Sequence, residues 1–133
     1  MLPRLLLDTH MLLRWFFESK KLSKGQLRAI ESAIGRSERL AFSAMSLLEI
    51  ALLAGAGRLA LKGSFDDFFR DLNSDVAFCL LPLTYYVAAD AASLGVLRDP
   101  SDRSIAATAR VHRLRLVTSD QRVVESGLVP VVD

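Results

Sequence analysis

The sequence predicts a three-layer α/β/α domain built on a mostly parallel five-stranded sheet. Five short apolar runs, Leu5–Leu7, Leu40–Phe42, Val76–Leu81, Leu114–Thr118 and Val129–Val132, are separated by stretches with helical spacing or helix-capping residues. Strands that alternate with helices make parallel sheets covered on both faces. The first run, Leu5–Leu7, is apolar throughout rather than alternating, as a strand buried on both sides requires. The 133 residues are 51% hydrophobic and 24% charged, with no internal repeat and no linker-like stretch, so residues 1–133 are read as a single domain. A chain of that length buries about two thirds of its unfolded surface and needs no staples.

The elements follow in order. Leu5-Leu6-Leu7 is a buried strand ending at Asp8, and a helix runs from Thr9 to about Glu18. Ser23 caps a helix over Lys24–Gly35, with Leu27, Ile30 and Ile34 spaced along one face. After the second strand a helix spans about Ala44–Ala54, closed by Gly55 and Gly57. Ser64-x-x-Asp67 opens a helix with Phe65, Phe68, Phe69 and Leu72 on one side. Pro82 stops the third strand, and Thr84 caps a helix to about Leu97. Asp99-Pro100-Ser101-Asp102 breaks the chain and starts a helix to about His112. A short helix, Asp120 to Glu125, separates the last two strands.

Composition narrows the function. A mean hydropathy of +0.29 with a formal charge of +2 excludes intrinsic disorder. The longest apolar run, Val76–Leu83, falls far short of the ~20 residues of a spanning helix. Three leucines before Asp8 are too few for a signal-peptide core. The single cysteine, Cys79, allows no disulfide within the chain and no cysteine-based metal set. A cytoplasmic protein is therefore expected. The sequence pI of about 9.0 and the arginines Arg98, Arg103, Arg110, Arg113 and Arg115 predict a basic surround for the later acidic segment, suited to a polyanion.

Ligands of such sheets bind outside the carboxyl ends of the strands. Asp8 ends the first strand and Asp120 follows the fourth. Asp102 opens the helix that leads into the fourth strand, and Glu49 lies in the first or second turn after the second strand. All four acids therefore face one rim. Each also has a structural reading: Asp8 and Asp120 as helix caps, Asp102 as a residue favoured by a helix dipole, and Glu49 as the partner of Ser46 in a capping box. Around Glu49 the helix is apolar on nearly every side, so it is expected to be largely buried, where a lone carboxylate is costly. Four acids at one edge repel unless a cation lies among them. An all-oxygen donor set suits Mg²⁺, with Mn²⁺ able to substitute, rather than zinc. His10 is read as packing or a support to the acids, and His112 as a helix C-terminal residue.

Other motifs fail. There is no GxxxxGK[ST], no GxGxxG after a strand and no GxSxG. A phospho-accepting receiver domain needs an acceptor Asp after the third strand, where Leu80-Leu81-Pro82 stands. An aspartate-nucleophile phosphatase needs a second Asp two residues after Asp8, where His10 stands.

Leu7-Asp8-Thr9-His10, Ser46-x-x-Glu49, Asp99-Pro100-Ser101-Asp102-Arg103 and Leu116-Val117-Thr118-Ser119-Asp120, in that order, resemble the PIN-domain ribonucleases, and within them the VapC-type toxins of toxin–antitoxin pairs. The resemblance spans nearly the whole chain and implies a PIN-like fold. Asp8, Glu49, Asp102 and Asp120 fall on the acidic, metal-binding quartet of that family. Thr9, Thr118 and Ser119 match positions that support those acids or the attacking water, and Arg103 an arginine beside the third acid that makes an ion pair or contacts substrate. Arg14 departs from the aromatic or apolar residue often found there. The resemblance implies a Mg²⁺-dependent endoribonuclease, a homodimer, an RNA substrate and inhibition by a cognate antitoxin. Met11–Phe17 places large apolar groups all round its helix, more than one core face covers, which points to a protein interface. Two rivals use the same scaffold: a non-catalytic binding module, and a metal-dependent phosphatase acting on small phosphates.

Overall fold

A computed structural model describes residues 2–59, 61 and 63–133; Met1, at the head of the opening segment, lies outside them. The strands are β1 (Leu5–Leu7), β2 (Leu40–Ser43), β3 (Phe78–Leu81), β4 (Arg115–Val117) and β5 (Val131–Val132). The helices are α1 (Thr9–Phe17), α2 (Lys24–Gly35), α3 (Ala44–Gly55), α4 (Phe65–Ser74), α5 (Tyr85–Ala92), α6 (Pro100–Val111) and α7 (Gln121–Ser126). A 3-10 turn at Ser19–Lys21 joins α1 to α2. The strand order is β3-β2-β1-β4-β5 and every pairing is parallel.

Alternate residues of each strand feed two cores. Leu5, Leu7, Leu40, Phe42 and Val117 pack on one face with Met11, Leu12, Ile30, Ile50 and Phe68. Leu6, Ala41 and Leu116 pack on the other with Val87, Ile105, Ala106, Ala107 and Val123. Every residue from Ser104 to Ala109 is buried, because α6 is packed between the sheet and α5. Both layers are thus filled from one chain, as the alternation of apolar strands and helices predicts.

The differences in detail have local causes. The third strand begins at Phe78 rather than Val76, because Asp75 Oδ1 accepts from the Ala77 amide at 2.9 Å and holds a turn there. The helix capped by Thr84 stops at Ala92, where the hydroxyl of Ser93 turns back to donate to the Asp90 carbonyl at 2.7 Å; Leu94 and Leu97 beyond it are still buried. In α2 the buried stripe is Gln26, Ile30 and Ala33, while Ile34 is exposed, so the helix is turned from the face that its apolar spacing marks.

One burial expectation is overturned and another is met only in part. Helix α3 buries only Ser46 and Ile50 fully and leaves Leu48 and Leu52 exposed, so it is not the largely buried helix that its composition implies. The apolar surplus of α1 is taken up only in part: Met11 and Leu12 are buried, while Leu13, Trp15, Phe16 and Phe17 pack half-buried against the core. Phe16 lies 5.6 Å from Phe68 and 5.2 Å from Phe78 between ring centroids, and Phe17 lies 5.5 Å from Phe68. Aromatic pairs at that spacing are favourable in their own right.

Candidate active site

Strand order reverses direction between β1 and β4, and the carboxyl ends of those strands border a cleft. In register, Leu7 lies between Phe42 on β2 and Val117 on β4. The next residues, Asp8, Ser43 and Thr118, therefore emerge level with one another. A cleft of about 410 Å³ opens there, lined by Asp8, Thr9, Glu49, Asp102, Thr118, Ser119 and Asp120 among others. Seven of the eight site residues expected from sequence thus meet in one cavity. Arg103 does not line it: its Nε donates to the Leu97 carbonyl, pinning the segment before α6.

Asp8 does two jobs at once. Its Oδ1 caps α1 by accepting from the Met11 amide at 2.9 Å, and its Oδ2 accepts from Thr118 Oγ1 at 2.5 Å. Burial pushes its carboxyl above the usual aspartate range, against the opposing pull of those two hydrogen bonds and of His10 nearby. The Thr118 hydroxyl also accepts from the Asp120 amide at 3.2 Å, so one side chain ties the acid after β1 to the acid after β4.

Glu49 is held from α1. Thr9 Oγ1, itself buried, donates to Glu49 Oε1 at 2.5 Å and shares a hydrogen bond with Ser46 Oγ at 2.9 Å. The capping-box reading of Ser46 and Glu49 fails, because the cap of α3 is Ser43, which accepts from the Met45 amide. Glu49 lies in the second turn and reaches the cleft as a side chain without a capping duty.

Asp102 lies in the first turn of α6, whose cap is Asp99. Its carboxyl is pushed up to about 6, first by burial and then by repulsion from Asp99 and Asp120, with Glu49 adding to it. Asp120 shows the opposite. It caps α7, and the Arg122 guanidinium beside it holds its carboxyl below the usual range. Arg122 donates to Asp120 Oδ1 at 3.3 Å and Oδ2 at 3.1 Å, and its Nη2 lies 3.7 Å from Asp102 Oδ2.

Sequence reasoning missed two participants. Gln26, fully buried on α2, donates through its Nε2 to Ser119 Oγ at 2.9 Å and to the Thr118 carbonyl at 3.2 Å. Its position as the third residue after the cap Ser23 is visible in sequence, but the long-range partners are not. Arg122 shows only as a basic residue two places after Asp120. His10, read as packing or a support to the acids, is exposed on the cleft wall beside Asp8, and Arg14 lines the cleft as well. The expected basic surround is only partly assembled. Arg113 and Arg115 stand at the amino end of β4, beyond the far end of α6, a helix whose 12 residues span about 18 Å. Arg110 is engaged with Asp90 and the Leu128 carbonyl.

Among the described residues, no three His, Cys, Asp or Glu side chains are drawn close enough together to clamp an ion as they stand. The donor chemistry nonetheless suits a hard cation. Five carboxylates, counting Asp99, line the cleft with no thiolate, and the repulsion that raises Asp102 is what a divalent ion would relieve.

The sequence of residues 5–126 matches the profile of the PIN domain. The chain belongs to the PIN-domain family. Within it, the chain is 38% identical over 120 residues to Ribonuclease VapC22 of Mycobacterium tuberculosis (strain ATCC 25618 / H37Rv), covering 89% of this chain and 88% of that protein. This PIN domain is therefore of the VapC type. Its fold superposes on FitAcB from Neisseria gonorrhoeae with a TM-score of 0.67 at 25% identity, covering 97% of this chain and 96% of that one. It also matches VapBC2 from Rickettsia felis, bound to a DNA fragment from their promoter, with a TM-score of 0.70, covering 98% and 97% of the two chains; at 15% identity that likeness shows the fold alone. No helix of this PIN domain is long and apolar enough, among the described residues, to cross a membrane.

Proposed function

We propose that residues 1–133 form one nuclease domain, a metal-dependent endoribonuclease that acts as the toxin of a toxin–antitoxin pair. The observation that carries this reading is the meeting of Asp8, Glu49, Asp102 and Asp120 in a single cleft at the carboxyl rim of the sheet. These four would hold Mg²⁺, or Mn²⁺ in its place. A divalent ion bound there supplies orientation of a phosphodiester, a lowered pKa for an attacking water and relief of charge on the leaving oxygen. The chain's own contribution is positioning. Thr118 fixes Asp8 and the backbone of Asp120, while Thr9 fixes Glu49. Ser119, exposed at the rim and anchored by Gln26, is placed to bind water or substrate. Arg14 and Arg122 supply positive charge on the cleft wall for the RNA backbone.

The partner reading rests on the solved relatives, several of which are toxin–antitoxin complexes, among them one from Klebsiella pneumoniae. That likeness supports a cognate antitoxin as the partner, and with it the reading takes the protein as a homodimer in the cytoplasm. The exposed apolar residues Leu48 and Leu52 on α3 and Tyr85 and Tyr86 on α5 supply surface for such contacts.

The test is cleavage of total RNA by purified, antitoxin-free protein with Mg²⁺ or Mn²⁺, with EDTA and Asp8→Asn as controls. Discrete products that vanish in both controls are expected. Turnover of a small phosphoester without RNA cleavage would move the reading to a phosphatase, and RNA binding indifferent to EDTA would move it to a binding module.

A further inference from the structure

Arg122 is the one basic side chain, among the described residues, that makes ion pairs with carboxylates of the cleft. Its guanidinium meets Asp120 with two nitrogens on two oxygens, and the same Nη2 reaches toward Asp102. A planar fork on a carboxylate is the geometry in which arginine binds most strongly. Yet 76% of the Arg122 side chain is exposed to solvent, so little packing restrains the arm. The guanidinium therefore stands between two acids that a divalent ion would also claim, on a side chain free to leave.

We propose that Arg122 is a tethered stand-in cation: it neutralises Asp102 and Asp120 in the metal-free protein, yields them to the divalent ion, and then presents its freed fork to the incoming phosphate. This inference rests on the reading of the cleft as a divalent-ion site. An ion bound by Asp102 and Asp120 places a second positive charge beside the guanidinium, and the repulsion between them sets metal and Arg122 in competition for the two acids. An arginine released at the rim keeps the two-pronged donor face that phosphate oxygens accept. The bland alternative is a local cap pair between Asp120 and the residue two places on, which would stay in place whatever the cleft holds.

The test follows the Arg122 Nε–H resonance of ¹⁵N-labelled full-length protein, assigned by its loss in Arg122→Gln, during a Mg²⁺ titration. Calorimetric Mn²⁺ titrations of wild type, Arg122→Gln and Arg122→Lys run alongside. The resonance is expected to move toward the position of a free arginine with the same midpoint as the binding heat. Arg122→Gln is expected to bind Mn²⁺ about two- to tenfold tighter, the range that one or two exposed ion pairs supply, with Arg122→Lys in between. Inorganic phosphate added to the Mg²⁺-saturated protein then moves the wild-type resonance a second time. Metal heat with a stationary Arg122 signal and equal affinities overturns the exchange while leaving the metal reading intact. A second addition without effect overturns the phosphate role. No heat from wild type or variant overturns the metal reading and this inference together.

Discussion

Gln26 Nε2 donates to Ser119 Oγ at 2.9 Å, joining residues 93 positions apart. The same amide reaches the Thr118 carbonyl, and its oxygen accepts from the Ser23 amide at 3.0 Å, so the cap of α2 is welded to the segment that carries Asp120. Replacing Gln26 by Leu keeps the bulk and removes these bonds, the buried one to the Thr118 carbonyl among them. The expected cost is about 1–3 kcal/mol in urea unfolding. Metal affinity should fall as well, because the turn after β4 loses its anchor. A normal Mn²⁺ isotherm in the folded variant would reduce Gln26 to a purely stabilising residue.

Thr118 offers a sharper test, since its hydroxyl serves two acids at once. Thr118→Val is nearly isosteric and removes both bonds. Stability should fall by about 1–2 kcal/mol, and the RNA-cleavage rate by at least about tenfold. Thr118→Ser, which restores the hydroxyl, should recover most of the rate. Equal rates for Val and Ser would show that the tie between Asp8 and Asp120 is dispensable.

Asp102 predicts a pH signature in the metal-free protein. Its carboxyl stands at about 6 in the fold against an ordinary value of 3.8, so the folded state holds the proton more tightly than the unfolded chain. The stability associated with this group is therefore greatest below about pH 4 and is lost as pH rises toward 6. With 25% of the side chain in solvent, the discounted effect is about 1–2 kcal/mol. In EDTA, Asp102→Asn should melt several degrees higher than wild type at pH 7, with the difference gone at pH 4. A lower melting temperature at pH 7 would contradict the crowding of Asp99, Asp102 and Asp120.

Metal should invert that order. An ion that binds only the folded protein stabilises it by about 2.7 kcal/mol at a hundred times its dissociation constant. Saturating Mn²⁺ is expected to raise the melting temperature of wild type, to raise that of Asp8→Asn and Asp102→Asn far less, and to be reversed by EDTA. Equal shifts in all three proteins would place the ion elsewhere.

Much of the fold was legible because its signals are local. The caps Ser23, Ser64, Thr84 and Asp99 stand where their helices begin, since a short polar side chain before an apolar run has one favourable use. Asp8, Asp102 and Asp120 were legible for a related reason: a residue just after a parallel strand, or opening the helix that leads into one, lies at the carboxyl rim whatever its neighbours. The structural and functional readings of these acids do not compete, since Asp8 and Asp120 cap helices and line the cleft together.

By itself the sequence determined the alternation of elements, the two apolar faces of each strand and the edge at which the acids gather, because each follows from spacing along the chain. Which of its polar groups touch was decided only by the tertiary structure. Gln26 turned inward in place of an apolar neighbour because its amide finds partners at the ends of β4 and β5. Arg103 was drawn away to the Leu97 carbonyl, while Arg122 folded back between two acids. Arg113 and Arg115, close to Asp120 along the chain, were carried to the opposite edge by the length of β4. Hydrogen bonds and ion pairs act over a few ångströms, and only the packed sheet brings residues tens of positions apart within that reach.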